Sequence, residues 1–233
     1  MNVFGKGFIA RNLKKVKIPK RFDIYAAGVS DSNLINKKEY VREINTLKKY
    51  LSKRDRKSIF VYISSISVLT TGVNKDYYIK NKINIEYIIQ KQVPKYLIVR
   101  LPQIIGKNNN KKTLTNFIKN NILKQKPFYI WRGSKRNLID IDDIKIILKR
   151  YLNKKPKINN IINIFNPSSI LVKDLVILFG KILKKKVKIK IIQKKNKNIN
   201  YSLINKNSTL PKKFYKGISD NDYLKNLIIK YYK

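Results

Sequence analysis

The chain lacks both cysteine and histidine across its 233 residues. Without cysteine there can be no disulfides and no thiolate metal sites. Without histidine the chain has neither the usual general base nor the most common metal ligand. Ser-His-Asp and Cys-His hydrolases are therefore excluded, and no metal centre is expected. Any acid–base chemistry has to use tyrosine, lysine or a carboxylate.

Long hydrophobic runs are also missing. No uncharged apolar stretch reaches the roughly 18–20 residues that a membrane-spanning helix needs, and the N-terminus lacks the apolar run of a signal peptide. We therefore expect a soluble, cytoplasmic protein. With 43% hydrophobic residues, the chain can bury the core of one domain, or of a core with an attached lobe.

Acidic residues and arginine are both scarce. The chain has 13 acidic and 54 basic residues, which give a net charge of +41, and 45 of the basic residues are lysine. Lysine, isoleucine and asparagine supply 111 residues, whereas alanine occurs three times; AT-rich codons produce this bias. A protein that reads phosphates should favour arginine, which binds them through paired bonds. We therefore favour compositional drift, expect no specific nucleic-acid partner, and expect only non-specific adhesion to polyanions at low salt.

Short β-rich runs alternate with stretches of helical spacing through the first hundred residues. The expected strands are 1–4, 22–27, 59–63 and 96–101. One of the intervening helices has its apolar spacing at Val41, Ile44, Leu47 and Leu51. This alternation predicts an α/β fold, a Rossmann-like parallel sheet with right-handed crossovers and helices on both faces.

The expected domain boundary is at residue 106. Residues 1–106 would form the sheet core, and a strand at 160–166 would return to it. Residues 107–233 would form a small lobe and a basic tail. Within the lobe, Asp142 or Asp143 is expected to cap a helix.

A glycine-rich turn joins the first strand to the first helix. Its sequence is Gly5-Lys6-Gly7-Phe8-Ile9-Ala10, a G-x-G-x-x-A pattern. Gly5 permits the tight turn, Gly7 lets a pyrophosphate approach backbone N–H groups, and Ala10 lets the helix pack on the strand. The pattern is typical of dinucleotide sites, but it is not specific when it occurs alone.

A tyrosine and a lysine stand one helical turn apart, at Tyr78 and Lys82. Because they share a helix face, the ammonium can favour the tyrosinate and lower a phenol pKa that is otherwise about 10. Ser64 and Ser65 stand at the end of the preceding strand, and a hydroxyl there could hydrogen-bond a substrate oxygen. Tyr77 lacks such a partner, since its i+4 residue is Asn81. In a chain with 15 Tyr, however, the same spacing also describes an ordinary exposed helix face.

The order of these segments resembles the NAD-dependent epimerase/dehydratase family of the extended short-chain dehydrogenase/reductase superfamily, whose members act on nucleotide sugars. The resemblance runs from about residue 2 to residue 180. Seven segments carry it, in the family's order: the glycine turn 5–10, Ala26-Ala27-Gly28, the serine-bearing strand 61–68, Tyr78-x-x-x-Lys82-x-x-x-Glu86, Arg100 to Gly106, Arg136 to Ile144, and Asn163 to Asn166.

The resemblance implies a role for each matching residue. Tyr78 would be the acid/base, Lys82 would lower its pKa and hold the nicotinamide ribose, and Ser65 would orient the reacting hydroxyl or carbonyl. Arg136 would bind a substrate phosphate. The site for NAD or NADP would comprise Gly5, Gly7, Phe8, Ile9, Ala10, Ala26, Ala27, Gly28, Lys82 and Pro102.

The sequence departs from the family between the glycine turn and Phe22. The family places two further strand–helix units there, which carry the adenosine half of the cofactor site, and this chain is too short for them. The first strand should then lie at the sheet edge, or pair with a segment that the sequence does not identify. Asp23 stands at the right distance for a ribose carboxylate, but it opens its strand and so belongs at the wrong end of the sheet.

The favoured function is therefore NAD(P)-dependent epimerisation, dehydration or reduction of a nucleotide-activated sugar, in the synthesis of surface-polysaccharide precursors. A nucleotide sugar is the expected partner, and a homodimer is compatible with the resemblance. Two other classes stay open: a non-catalytic Rossmann remnant that binds a partner, and a basic nucleic-acid-binding protein.

Overall fold

The structure is a computed structural model that describes residues 2–29, 37–71, 76–193, 198–199, 210–215, 218 and 222–233. The strands are β1 (Asn2–Phe4), β2 (Phe22–Tyr25), β3 (Ile59–Ser65), β4 (Thr70–Thr71), β5 (Tyr96–Leu101), β6 (Gln103–Ile105), β7 (Phe128–Trp131), β8 (Lys135–Arg136), β9 (Leu138–Asp140), β10 (Asn160–Asn163), β11 (Ile170–Leu171), β12 (Ile189–Ile192) and β13 (Asn198–Ile199). The helices are α1 (Phe8–Leu13), α2 (Lys37–Lys53), α3 (Tyr77–Gln92), α4 (Leu114–Leu123), α5 (Ile141–Asn153), α6 (Val172–Leu183) and α7 (Tyr223–Tyr232), with short 3-10 helices at Ile66–Leu69 and Lys212–Tyr215.

Five parallel strands form the central sheet, in the order β1-β2-β3-β5-β10. Val3 pairs with Ile24, which pairs in turn with Val61, so the first three predicted strands are neighbours. The late strand β10 returns beside β5. The predicted α/β fold with a parallel sheet is confirmed, and β1 is an edge strand of the described sheet.

Helices cover both faces of this sheet. Consecutive residues of a strand point to opposite faces, so each strand contributes side chains to two separate hydrophobic cores. One hydrophobic core joins α1 and α5 to the face that bears Ile24 and Val61. The other joins α2 and α3 to the face that bears Tyr25 and Tyr62. Most positions of the inner strands are therefore buried instead of alternating between buried and exposed, as in strands that are covered on both faces.

A third hydrophobic core lies in the second half of the chain, where α4, α6 and α7 pack on β7 and β12. In it the rings of Phe179 and Tyr232 pack edge to face, with centroids 5.1 Å apart. By contrast, α5 and the segment around Phe214 pack on the central sheet; the domain boundary at residue 106 stays a prediction. None of the described helices combines the length and apolar character that crossing a membrane requires.

Charged side chains attach α7 to the start of α5. Asp140 caps α5, since its carboxylate accepts a hydrogen bond from the Asp142 backbone N–H at 2.9 Å. Lys230 of α7 donates to Asp140 at 2.8 Å and to Asp142 at 2.6 Å. The expectation that Asp142 or Asp143 caps this helix is wrong, because a cap needs extended backbone, which Asp140 has. Asp143 instead accepts a hydrogen bond from Tyr223 at 2.6 Å.

The turn between β1 and α1 requires glycine at one position and tolerates other residues at the next glycine. Gly5 has a φ of +132°, and a Cβ added there would lie 2.5 Å from the Ala26 carbonyl oxygen and 2.9 Å from the Ala10 Cβ. Gly7 has a φ of −73°, and nothing lies within 4 Å of a Cβ added there. The tight-turn role predicted for Gly5 is thus visible in the backbone itself.

We expect Asp142→Asn to remove a small, pH-dependent part of the stability. Hydrogen bonds from Lys145 and Lys230 lower the pKa of the Asp142 carboxyl from 3.8 to about 2. Because the folded-state pKa is the lower one, the stabilisation is complete above about pH 4 and is lost as the pH falls towards 2. The carboxylate is 41% exposed, so screening keeps the effect below about 1 kcal/mol. Urea unfolding at neutral and strongly acidic pH measures it, and an equal loss at both would contradict it.

We expect Gly5→Ala to lower the free energy of unfolding by about 1–3 kcal/mol, because alanine strains this backbone and meets the Ala26 carbonyl. Gly7→Ala is the matched control and should stay within about 0.5 kcal/mol of the wild type. Urea unfolding of the two variants tests the contrast. Equal destabilisation by both would show that the turn does not depend on the Gly5 conformation.

Candidate active site

The glycine turn and the segment after β2 lie against each other at the carboxyl edge of the sheet. Because β1, β2 and β3 are parallel, the residues that follow them meet at this edge. The Ala26 N–H donates to the Phe4 carbonyl at 2.8 Å. The Ala26 carbonyl oxygen lies against Gly5, 2.5 Å from the position that a Cβ on Gly5 would occupy. Ser65, the last residue of β3, reaches the same edge.

The glycine turn leaves its backbone accessible at Gly7. This residue is exposed and caps α1 without a side-chain hydrogen bond. Ala10 is fully buried, and the half-buried Phe8 ring comes within 2.5 Å of the position that a Cβ on Gly106 would occupy. Ile9 is also half-buried. The open face of the turn is therefore at Gly7, while Phe8 and Ala10 fix α1 to its surroundings.

Tyr78 and Lys82 are brought together as predicted, on the first turns of α3. The Lys82 Nζ lies 5.6 Å from the centre of the Tyr78 ring, and Tyr78 is half-buried. Tyr77 points elsewhere: it is 44% exposed, with the Lys37 Nζ 5.3 Å from its ring centre. The two adjacent tyrosines thus have different environments, and Tyr78 is the one next to the buried lysine.

Lys82 is held in a buried cage formed by Glu43, Tyr62 and the Gly28 backbone, which the sequence motifs do not predict. Its Nζ donates to Glu43 Oε1 at 2.7 Å and to the Tyr62 hydroxyl at 3.2 Å. The Lys82 and Glu43 side chains are 4% and 2% exposed. A Cβ on Gly28 would lie 2.3 Å from the Lys82 Nζ, so only glycine leaves room for the ammonium there. The predicted cofactor residues Gly28 and Lys82 are therefore neighbours.

The cage keeps Lys82 charged and Tyr62 neutral at neutral pH. Burial works against the ammonium, but its electrostatic interactions with the Tyr62 phenol group and the Glu43 carboxylate outweigh burial and raise the pKa of Lys82. Burial likewise raises the pKa of the Tyr62 phenol, against the opposing charge of Lys82. Lys82 is therefore protonated at neutral pH, where its ammonium contacts the Glu43 carboxylate.

The two serines at the end of β3 have different surroundings. Ser64 is buried and donates to Glu86 Oε1 at 2.6 Å, and Arg100 holds the same carboxylate through bonds of 3.0 and 2.6 Å. Ser65 is half-buried, with its Oγ 2.8 Å from the Ser67 Oγ. The short helix that follows Ser65 packs against α3. Ser64 is thus part of a buried network, and Ser65 is the partly exposed hydroxyl on the side of α3.

Arg136 approaches the same edge from the lobe. It lies in β8, which pairs with β11, and its guanidinium donates to the Lys135 carbonyl at 2.8 Å. The next residue, Asn137, accepts a hydrogen bond from the Gln103 N–H at 3.2 Å. Gln103 directly follows the buried Pro102 at the end of β5. Arg136 therefore stands beside the Pro102 segment, and no described contact joins it to Tyr78.

A cavity of about 420 Å³ beside β1 contains none of the predicted catalytic residues. Its lining is Val3, Phe4, Asp23, Tyr50, Lys53, Arg54 and Asp55. Asp23 is buried there and accepts hydrogen bonds from Tyr50 at 2.5 Å and from Arg54 at 3.3 Å. It pairs with Asn2 at the start of β1, which places it at the amino edge of the sheet. At that edge Asp23 is too far from the glycine turn to bind a cofactor ribose.

Sequence reasoning missed Glu43 and the residues that share its cage. The predicted apolar spacing of α2 put Val41 on its inner face, but Val41 is 56% exposed. The buried positions are Tyr40, Glu43 and Leu47. A carboxylate at the centre of the buried stripe is the one signal in the sequence that could have indicated a buried cation partner.

The sequence matches no described protein family and no curated protein. Solved structures match it along most of its length. RMD from Pseudomonas aeruginosa, complexed with NADPH, is 12% identical, with a TM-score of 0.67 over 96% of both chains. UDP-glucuronic acid 4-epimerase from Bacillus cereus, in complex with NAD, is 18% identical, with a TM-score of 0.64 over 95% of this chain and 78% of that one. UDP-glucose 4-epimerase from Thermotoga maritima, with UDP-glucose, is 14% identical, with a TM-score of 0.63 over 91% and 76%.

At sequence identities of 12–18%, this structural similarity establishes the fold alone. The structural neighbours include a UDP-glucuronic acid 4-epimerase, a dTDP-glucose 4,6-dehydratase and a dTDP-4-dehydrorhamnose reductase, which are the kinds of enzyme that the sequence motifs resemble. The present chain therefore has a Rossmann-like α/β fold that it shares with these solved structures.

Proposed function

We propose that this protein is a NAD(P)-dependent enzyme that acts on a nucleotide-activated sugar. One observation carries the proposal: the Lys82 ammonium lies 5.6 Å from the Tyr78 ring centre and beside Gly28, at the sheet edge that also holds the glycine turn. The neighbours support it, since they were solved with NADPH, NAD or UDP-glucose. The reaction would be epimerisation, dehydration or keto-reduction, in the supply of surface-polysaccharide precursors.

The residues at both ends of the edge fit a dinucleotide. At Gly7 nothing lies within 4 Å of a Cβ position, so a pyrophosphate can approach the backbone there. Lys82 uses two of its three N–H donors on Glu43 and Tyr62, which leaves one for a ribose hydroxyl. Gly28 and Pro102 would border the nicotinamide. When bound, NAD or NADP would accept or supply the hydride.

The remaining roles belong to side chains around the reacting carbon. Tyr78 would take or return the proton of the sugar hydroxyl, and Ser65 would hydrogen-bond the same oxygen. Ser67 steadies Ser65, since their hydroxyl oxygens are 2.8 Å apart. Arg136 would bind the substrate diphosphate from the lobe with its paired N–H donors.

Tyr78→Phe should abolish turnover, because phenylalanine keeps the ring but cannot transfer a proton. The loss of stability should be at most about 1 kcal/mol, the net value of one hydroxyl hydrogen bond. Ser65→Ala should slow the reaction by about 10²–10³-fold, as expected for the loss of one oriented donor. The measurement is nicotinamide absorbance with a panel of nucleotide sugars.

Tyr77→Phe is the matched control for this series. It makes the same chemical change one residue earlier, on a ring that faces solvent and Lys37, and should keep wild-type turnover. Full activity in Tyr78→Phe, or loss of activity only in Tyr77→Phe, would show that the acid/base is misassigned.

A second candidate is a non-catalytic Rossmann remnant. The observation that favours it is the position of β1 at the edge of the described sheet, where the family would continue with the strands that carry the adenosine.

Calorimetric titration with NAD, NADH, NADP and NADPH separates the two candidates. We expect heat of binding with NAD and NADH, or with NADP and NADPH. Lys82→Met should weaken that binding about tenfold or more, because a hydrogen bond from a charged donor contributes roughly 1.5–3 kcal/mol. An absence of heat with all four nucleotides would favour the remnant.

A further inference from the structure

Glu43 is a buried acidic residue in the candidate site to which none of the sequence motifs assigns a role. We propose that Glu43 is a positioning residue, which holds the Lys82 ammonium beside Gly28 and offsets its charge, and thereby sets the pH at which Tyr78 can act. The inference concerns the same Tyr78–Lys82 pair and so rests on the proposed function. It adds a residue from α2, a helix that supplies none of the predicted catalytic groups.

The geometry fixes Glu43 at both of its oxygens. Oε1 accepts from Lys82 at 2.7 Å, and Oε2 accepts from the Asn81 side-chain amide at 2.9 Å. Because Asn81 and Lys82 are consecutive on α3, the carboxylate is clamped to one side of that helix. The Tyr62 hydroxyl supports the ammonium from β3 at 3.2 Å. Lys82 therefore has a single well-defined position, next to the Gly28 backbone.

The charge of the cage is close to zero. Two phenols face the pair from the sheet: Tyr25, whose pKa burial and the charge of Glu43 raise to about 12, and Tyr62, whose pKa burial also raises. Both are uncharged at neutral pH. From α3 itself, Tyr78 faces the ammonium. The charges that act on Tyr78 from this cage are therefore the positive Lys82 and the negative Glu43, and they oppose each other.

This balance has a direct effect on the Tyr78 phenol. A lone ammonium nearby would favour the phenolate, but a carboxylate bonded to that ammonium cancels most of its field. Removing only the charge of Glu43 should therefore let Tyr78 ionise at lower pH. Where the Tyr78 phenolate forms in that variant, it replaces the carboxylate as the anionic partner of Lys82.

The test is an ultraviolet titration of tyrosinate in the protein without cofactor or substrate. Each protein is titrated beside its counterpart that carries Tyr78→Phe, and the difference isolates the Tyr78 phenol from the other tyrosines. We expect Glu43→Gln to move the Tyr78 midpoint to lower pH by about one unit, a tenfold change in proton concentration. The double variant Glu43→Gln/Lys82→Met restores a neutral cage and should return the midpoint close to the wild-type value.

Glu39→Gln is the matched control. It removes a carboxylate from the same helix, where Glu39 is paired with the exposed Arg42, and should leave the midpoint unchanged. An unchanged midpoint in Glu43→Gln, or an equal shift in Glu39→Gln, would overturn the proposal, since a carboxylate that only packs would alter stability without moving the titration.

A second background gives an independent comparison of the same pair, with the fold of each variant checked by circular dichroism before the titration. In Lys82→Met the carboxylate is left without its cation, so the Tyr78 midpoint should rise, and adding Glu43→Gln should lower it again. No difference between these two variants would also overturn the proposal. Where the protein turns over a nucleotide sugar, the acid limb of kcat/KM should follow the same shifts.

The titration needs no bound cofactor, so its failure is distinct from failure of the proposed function. A shift in Glu43→Gln together with no heat from any nicotinamide nucleotide would support the role of Glu43 in the cage and contradict the enzymatic function. Binding heat from a nicotinamide nucleotide, with no shift of the Tyr78 midpoint in Glu43→Gln, would support the enzymatic function and contradict the role of Glu43.

Discussion

The parallel register of the central strands is the constraint on which the site depends. Each crossover returns the chain to the amino edge of the sheet, so every segment that follows a strand begins at the carboxyl edge. The glycine turn, Gly28, Ser65 and Pro102 are far apart in the sequence and meet there through backbone pairing. Apolar side chains buried on both faces hold the register, because a slip by one residue would exchange the two faces.

Buried ion pairs then fix the polar groups that this architecture gathers. Asp23, Glu43 and Glu86 each pair with a cation, and these carboxylate side chains are at most 4% exposed. The chain has only 13 acidic residues and a net charge of +41, so these three positions stand out against its composition. A buried charge that loses its partner is strongly destabilising. Packing therefore constrains these acidic residues, while compositional drift can add lysine wherever the chain is solvated.

The shortened sheet changes one half of the candidate cofactor site and leaves the other. At the end proposed for the nicotinamide, Lys82 lies beside Gly28 and near the Tyr78 ring. At the other end β1 is the edge of the described sheet, and the ring of Phe4, 36% exposed, packs against Tyr50 with centroids 4.5 Å apart. The adenosine half of a cofactor would thus meet an edge strand, so that its binding would depend on the glycine turn and the nicotinamide end.

Local spacing in the sequence was enough to predict the alternating strands and helices, the glycine turn, and the placement of Tyr78 and Lys82 on one helix face. It misjudged the inner face of α2, because one residue turns a helix by about 100° and the exposed Val41 fits an apolar pattern as well as a buried residue would. The pairing of Glu43 with Lys82, 39 residues away, follows from the folded chain and from no local spacing. Those two side chains meet only after the sheet has placed α2 and α3 side by side, and no local pattern encodes the partner of a buried charge.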